Sequence, residues 1–258
     1  MEESVKRQAI KKYFEPFPKW TVWIIAIALL IALGQSVGTS CTSAAMIALA
    51  AWRLWSWSQR ATDDQMDSWT AEDMANLRKR AVEKSSLDPS ELLREPVVVT
   101  GPRLRGLGGA QFGIRRGKDQ QIRFTPIDTT IINFTEHQLV LFQCALDLTT
   151  GKALNESVDE YFYKDVVSAA TQSRSYTCDL NKKALLQFPH AKKAMVNGRL
   201  QLNSAETFVL TTSGGTSVEV VLSDPVLAES LGGGQIPTQP ADQAVQAVRK
   251  MLREKKAS

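Results

Sequence analysis

Residues 208–222 read FVLTTSGGTSVEVVL, and this stretch decides the fold class of the C-terminal half of the chain. Two β-branched, apolar runs flank the turn Ser213-Gly214-Gly215-Thr216, which is typical of a β-hairpin. Similar short runs with local turns begin at residue 97. We expect strands at 97–100, 121–124, 129–134, 139–148, 160–169, 173–178, 200–202, 207–212 and 217–222. Many short strands joined by local turns predict an antiparallel β-sandwich or a partly open barrel.

The chain then passes a glycine run and ends in a segment with helical periodicity. In residues 241–255 one face carries Ala244, Val245, Val248, Met251 and Leu252, which predicts an amphipathic helix. Strands followed by one such helix resemble the pleckstrin-homology-like fold, in its bacterial branch. The segment YFYKDVV at 161–167, the hairpin and the helix carry this resemblance, which covers roughly residues 97–255. It implies binding of lipid headgroups, peptides or partner subunits, and not catalysis.

Two apolar stretches near the N-terminus, at 20–33 and about 42–57, predict a transmembrane helical hairpin over 20–57. The linking segment 34–40 is short and polar, and small residues allow close helix packing. Basic residues precede the first stretch and lie at or beyond the end of the second, while the link has none: Lys6, Arg7, Lys11, Lys12, Lys19, Arg53 and Arg60. The positive-inside rule therefore places both termini in the cytoplasm. We expect a multi-pass protein of the bacterial inner membrane, with a basic cytoplasmic segment at 1–19.

Other interpretations of this region stay open. The first stretch resembles a secretory signal, although a second apolar stretch follows it directly. Both stretches are short, so a re-entrant or interfacial hairpin is a further alternative. Residues 58–95 predict a helical connector, in which Thr70 and Asp88 are candidate helix caps and Pro89 opens a second helix. This connector is either a lever that transmits movement or a passive spacer.

The segment 101–125, GPRLRGLGGAQFGIRRGKDQQIRFT, concentrates positive charge and glycine. Arginine forks match phosphate oxygens, and glycines let backbone amides approach an anion. The candidate ligand-binding residues are Arg103, Arg105, Arg115, Arg116, Lys118 and Arg123. Three hypotheses compete: a nucleotide or short nucleic acid, the anionic membrane surface, and a solvated loop whose charges aid solubility or pair with a neighbouring subunit.

Composition argues against enzymatic and metal chemistry. The chain has three cysteines and two histidines, with no C-x-x-C pair, so a disulfide framework and the usual zinc sites are excluded. No set of residues has the spacing of a catalytic centre. We expect no cofactor, no metal and no enzymatic activity.

The predicted hairpin allows a pore if several copies assemble. The candidate pore-lining residues are Gln35, Thr42, Met46, Leu49 and Arg53. This organisation resembles membrane effectors of bacterial anti-phage defence systems, the Hailong effector among them, and implies a homo-oligomeric channel under the control of an anionic ligand. The alternative is a membrane-tethered adaptor for a protein partner or anionic lipid. The sequence thus predicts an α+β chain with a transmembrane hairpin, a helical stalk, and a cytoplasmic β-rich domain at 97–258.

Overall fold

The computed structural model describes residues 2–32, 37–103, 112–178, 195–196, 199–223, 225–230, 233, 235 and 241–256. The chain divides into two compact units, Met1–Thr62 and Asp63–Ser258. The described part of the first is helical, while the second combines helices with antiparallel sheets. The structure is therefore mixed α+β.

The first unit contains the helices α1 (Glu2–Tyr13), α2 (Trp20–Ala32) and α3 (Val37–Ser58). Ile10, Tyr13 and Phe14 are buried at the end of α1. The chain after α3 returns to α1, where the Ala61 amide donates a hydrogen bond to the Ala9 carbonyl at 3.3 Å. This hydrogen bond joins the chain after α3 to α1 within the first unit.

The helices of this unit correct the membrane prediction. α2 has 13 residues, which at 1.5 Å per residue extend about 20 Å, less than the roughly 30 Å of a bilayer core. α3 is longer but opens with the weakly apolar VGTSCTS. Among the described helices, none combines the length and the hydropathy that a membrane crossing requires. The predicted transmembrane hairpin at 20–57, the multi-pass inner-membrane location and the ion channel are therefore wrong.

The second unit begins with α4 (Asp63–Lys84), which the sequence assigned to a connector. Met66, Leu77 and Ala81 are buried along this helix. Thr70 does not cap it: its hydroxyl lies inside the helix and donates to the Met66 carbonyl at 2.7 Å. The Asp88 cap is confirmed, because its carboxylate accepts from the Ser90 amide at 2.8 Å at the start of the 3₁₀ turn Pro89–Glu91.

Three antiparallel sheets follow α4 in the described chain. Their strands are β1 (Val97–Pro102), β2 (Gly113–Arg116), β3 (Ile122–Thr125), β4 (Ile127–Phe134), β5 (Gln138–Asp147), β6 (Lys152–Phe162), β7 (Val166–Cys178), β8 (Met195–Val196), β9 (Arg199–Thr212) and β10 (Ser217–Ser223). One sheet has the order β1-β4-β5-β6 and another the order β10-β9-β7, with β8 paired to β9. The strands β2 and β3 form a separate hairpin.

The two larger sheets meet where β1 passes β10. A side chain at Gly101 would collide with the Val221 carbonyl, so only glycine permits this approach. Two further helices, α5 (Pro225–Ser230) and α6 (Ala241–Lys256), follow the strands. Val245, Val248 and Met251 of α6 join the core between the sheets. The amphipathic C-terminal helix is thereby confirmed, while the pleckstrin-homology-like resemblance stays a prediction.

Candidate functional site

A cavity of about 420 Å³ lies between α4 and the strands β1 and β3. Its volume falls within the usual range of small-molecule sites, about 300–1,000 Å³. The helix lines it with Met66, Asp67, Thr70, Ala71, Met74, Ala75 and Arg78, and the strand side with Thr100, Gly101, Pro102, Ile122, Arg123, Phe124, Ile127 and Leu148. The cavity is therefore lined by residues of the predicted connector, 58–95, and by residues of the predicted basic segment, 101–125.

Small side chains on α4 leave this space open. Thr70, Ala71 and Ala75 lie where the helix passes over the strands, and Ala71 and Ala75 are solvent-exposed one helical turn apart. The wall opposite is apolar, with Ile122 and Phe124 both buried. The cavity thus has an apolar interior and a row of small residues at its mouth.

Ion pairs hold the N-terminal half of α4 against β3. The buried Arg123 guanidinium donates from Nε and Nη2 to the two carboxylate oxygens of Asp67, at 2.7 and 2.6 Å. Its Nη2 and Nη1 also donate to Asp119 Oδ2 and Oδ1, at 2.7 and 3.1 Å. Because four of the five N–H groups of an arginine are used here, no anion can bind Arg123 bidentately without displacing a carboxylate.

The turn between β2 and β3 is built around the same arginine. Gly117 lies so close to Arg123, Asp119 and Asp63 that an added Cβ would collide with them. The Lys118 amide donates to Asp63 Oδ2 at 2.8 Å, which ties the turn to the start of α4. The hydrogen bonds from Arg123 lower the pKa of Asp119, with a smaller opposing effect of burial. Asp119 is therefore ionised at neutral pH.

A second set of ion pairs holds the C-terminal half of α4 against β6. Arg80 Nη2 lies 2.7 Å from Glu156 Oε1, and Lys84 Nζ lies 3.0 Å from Glu156 Oε2. Burial of Glu156 opposes its ionisation, but the two cations outweigh burial and lower the pKa. The residues that line the cavity lie mainly between these two attachments, which are about 20 Å apart along the helix.

Arg78 is the cavity's available cation. Its side chain is exposed at the rim and forms no ion pair with any residue that the structure describes. Arg123, by contrast, is 8% exposed and committed to carboxylates. The cavity can therefore offer one guanidinium to an anion, beside an apolar interior.

No family model, curated protein or solved structure matches this chain.

The structure separates the predicted ligand-binding residues. Arg103 pairs with Asp128, Nη1 to Oδ1 at 2.7 Å, and Arg116 donates to the Gly233 carbonyl at 2.6 Å. Arg115 faces Arg123 across the β2–β3 pair, and the exposed Lys118 belongs to the turn. Arg105 lies outside the described residues. Of the five that the structure describes, only Arg123 lines the cavity.

The predicted pore-lining residues belong to the first unit. Thr42, Met46, Leu49 and Arg53 lie on α3, and Gln35 lies outside the described residues. Arg53 Nη2 is 3.8 Å from Glu15 Oε2. The four described residues share a helix and are not among the described residues that line the cavity.

Sequence reasoning missed the part of the site that α4 contributes. Ala71, Ala75 and Arg78 follow one another at helical spacing, which was the available signal. Neither interpretation of the connector, as a lever or as a spacer, assigns a ligand contact to this face.

The described residues include no group of three or more histidine, cysteine, aspartate or glutamate side chains arranged to hold a metal ion. Burial, with nearby carboxylates, raises the pKa of the Cys144 thiol to about 12. A thiol of this kind stays protonated at neutral pH and is a poor nucleophile.

Proposed function

We propose that this chain is a non-enzymatic binding protein whose β-rich unit holds one small amphipathic anion in the cavity between α4 and the strands. The observation that carries the proposal is an α4 attached at both ends by ion pairs, with small residues between the attachments. A helix held in this way keeps the cavity open and needs little rearrangement when a ligand enters. Such preorganisation lowers the cost of binding.

The lining favours a ligand with an apolar body. Met66, Met74 and Phe124 offer adaptable and aromatic contact surface, and methionine side chains adjust to irregular ligands. Burial of apolar surface supplies roughly 25 cal/mol per Å², so the body would provide most of the affinity. The polar contribution then fixes the orientation of the ligand.

Arg78 favours a single negative charge on that ligand. A carboxylate or a sulfate monoester at the rim could accept two hydrogen bonds from its guanidinium. A polyphosphate would need several free cations, and among the described lining residues Arg78 alone is uncommitted. The nucleotide or short nucleic acid predicted from the basic segment is therefore favoured less than a monoanionic amphiphile.

Calorimetric titration of the full chain with decanoate, decanol and AMP tests this proposal. We expect decanoate to bind more tightly than decanol, and AMP to bind weakly or not at all. Arg78→Gln should weaken decanoate about tenfold, a loss of about 1.4 kcal/mol, and leave decanol unchanged, because only decanoate accepts charge-assisted hydrogen bonds from the guanidinium. Lys79→Gln is the matched control, since Lys79 is exposed on α4 but does not line the cavity.

A second pair of variants tests the cavity itself. Ala75→Trp should abolish binding of both decanoate and decanol because the indole fills the space. Asn76→Trp adds the same group at an exposed position outside the lining and should leave binding intact. Equal binding by wild type and Ala75→Trp, with unchanged circular dichroism, would show that the ligand binds elsewhere.

The resemblance to anti-phage membrane effectors stays a prediction that depended on a transmembrane hairpin. A protein partner for the β-rich unit likewise stays a prediction.

A further inference from the structure

The helix pair α2–α3 has small side chains inside and large apolar side chains outside. Thr21 and Ala28 of α2 and Ser43 and Ala50 of α3 are buried. The exposed large apolar side chains are Trp20, Val22, Trp23, Ile27, Leu29, Leu30, Ile47, Leu49, Trp52 and Trp55. This arrangement is the reverse of a helix pair that is stable alone in water, because its fully buried side chains are small and most of its bulky side chains are exposed.

The exposed area is large enough for a stable interface. The four indoles are between 49% and 72% exposed, so at about 250 Å² per side chain they alone present about 600 Å². Six aliphatic side chains add to this figure. Patches above a few hundred Å² mark interaction sites, and a stable dimer buries roughly 800 Å² from each partner.

The outward residues of α2 also have the spacing of a helix-packing seam. Trp20, Trp23, Ile27 and Leu30 follow one another at intervals of three, four and three residues, and we call these four residues the α2 seam. Such spacing places apolar side chains along one stripe, as at the contact line of paired helices. The seam residues are exposed, whereas the fully buried residues of α2 are the small Thr21 and Ala28.

The distribution of charge on α2 and α3 favours a second copy of the chain as the partner that covers this apolar surface. α2 carries no charged residue between Trp20 and Ala32. Arg53 of α3 is engaged with Glu15 of the same unit. This surface therefore has no uncommitted charge with which a partner of opposite charge could pair. The identical apolar face of a second copy matches it, and a two-fold axis relates the two faces.

We propose that two copies of this chain associate through the α2 seam and form a bundle with the two α3 helices. The seam residues of one copy then pack against those of the other, and Trp52 and Trp55 flank the contact. This association is independent of the cavity and of its ligand.

The test is the mass of the full chain in detergent-free buffer, measured by sedimentation equilibrium at micromolar concentration. We expect twice the 28.5 kDa of one chain. The double variant Trp23→Glu, Leu30→Glu should weaken association at least a hundredfold and sediment as a monomer. The control Val5→Glu, at a 61% exposed position of α1, should remain dimeric.

Cysteine crosslinking keeps the proposal testable if the charged variant unfolds. Under mild oxidation Ile27→Cys should give more covalent dimer than wild type, and Val5→Cys should not. A monomeric wild type, a double variant that stays dimeric with native circular dichroism, or crosslinking equal at both positions would overturn the proposal. So would a wild-type chain that is monomeric in buffer and floats with phosphatidylcholine vesicles, because a lipid surface would then be the occupant.

Discussion

Arg123 determines which chemistry the cavity offers. A buried guanidinium is costly unless its donors are satisfied, and here Asp67 and Asp119 accept four of its hydrogen bonds. The arginine that the sequence singled out for ligand binding therefore has a structural role, which is to attach β3 to α4. Arg78, which the sequence did not single out, remains for the ligand.

A substitution at Gly117 tests how closely the side chains pack around Arg123. Gly117→Ala should lower the free energy of unfolding by about 1–3 kcal/mol, because its methyl group would displace Arg123 or the carboxylates around it. Gly214→Ala is the matched control, since the nearest atom to its added Cβ is the Thr212 hydroxyl oxygen at 3.9 Å. Urea denaturation of both variants measures the difference. Equal midpoints would mean that Gly117 does not support the ion pairs.

At the level of elements, α4 acts as one wall of the site because it is attached at two places. The Asp67–Arg123 pair and the Glu156 cluster lie on either side of the cavity-lining row. Exposed ion pairs contribute little, but Arg123 is 8% and Glu156 is 13% exposed, so these contributions exceed those of ordinary surface pairs. Loss of either attachment should loosen the helix over the cavity.

The Glu156 attachment predicts a dependence of stability on pH. Its pKa is lowered in the folded chain, so its contribution is present above the ordinary value of 4.5 and is lost as pH falls through the folded value. Glu156→Gln should lower the free energy of unfolding by about 1 kcal/mol at pH 7, a Tm loss of roughly 2–4 °C. The difference from wild type should shrink below pH 4.5. Thermal melts at pH 7, 5 and 3.5 measure the difference in Tm between wild type and Glu156→Gln, with Glu160→Gln, at an exposed position, as control. A difference in Tm that does not change with pH would contradict a lowered pKa of Glu156.

Elements with local signals could be predicted from the sequence. The hairpin at 208–222 has its turn where the glycine pair is, between β9 and β10. The amphipathic segment 241–255 forms α6, and Asp88 caps the turn that Pro89 opens. In each case neighbouring residues supply the determining interactions.

Elements without local signals were missed. β6 is an edge strand with both faces largely accessible, so its sequence KALNESVDEYF lacks alternation of apolar and polar residues. The predicted strand 160–169 is interrupted by the 3₁₀ turn Tyr163–Asp165. The membrane prediction at 20–57 was wrong because it rested on apolar composition alone, whereas no described helix combines the length and the hydropathy of a membrane span.

At the level of the whole chain, the cavity depends on contacts that no short window contains. Asp67 and Arg123 are 56 residues apart in sequence, and Arg80 and Glu156 are still farther apart. Such pairs depend on the tertiary fold and leave no signal in a short stretch of sequence. The chain therefore presents two features of different chemistry: an apolar cavity with one free cation among its described lining residues, and an uncharged apolar seam on α2.

Photolabelling of the full chain with a diazirine analogue of decanoate, followed by peptide mapping, tests the binding cavity most directly. We expect labels within residues 66–78 and 122–127, which excess decanoate removes and Ala75→Trp prevents. Labels confined to the α2 seam, or labels on the cavity residues that decanoate does not compete away, would contradict it.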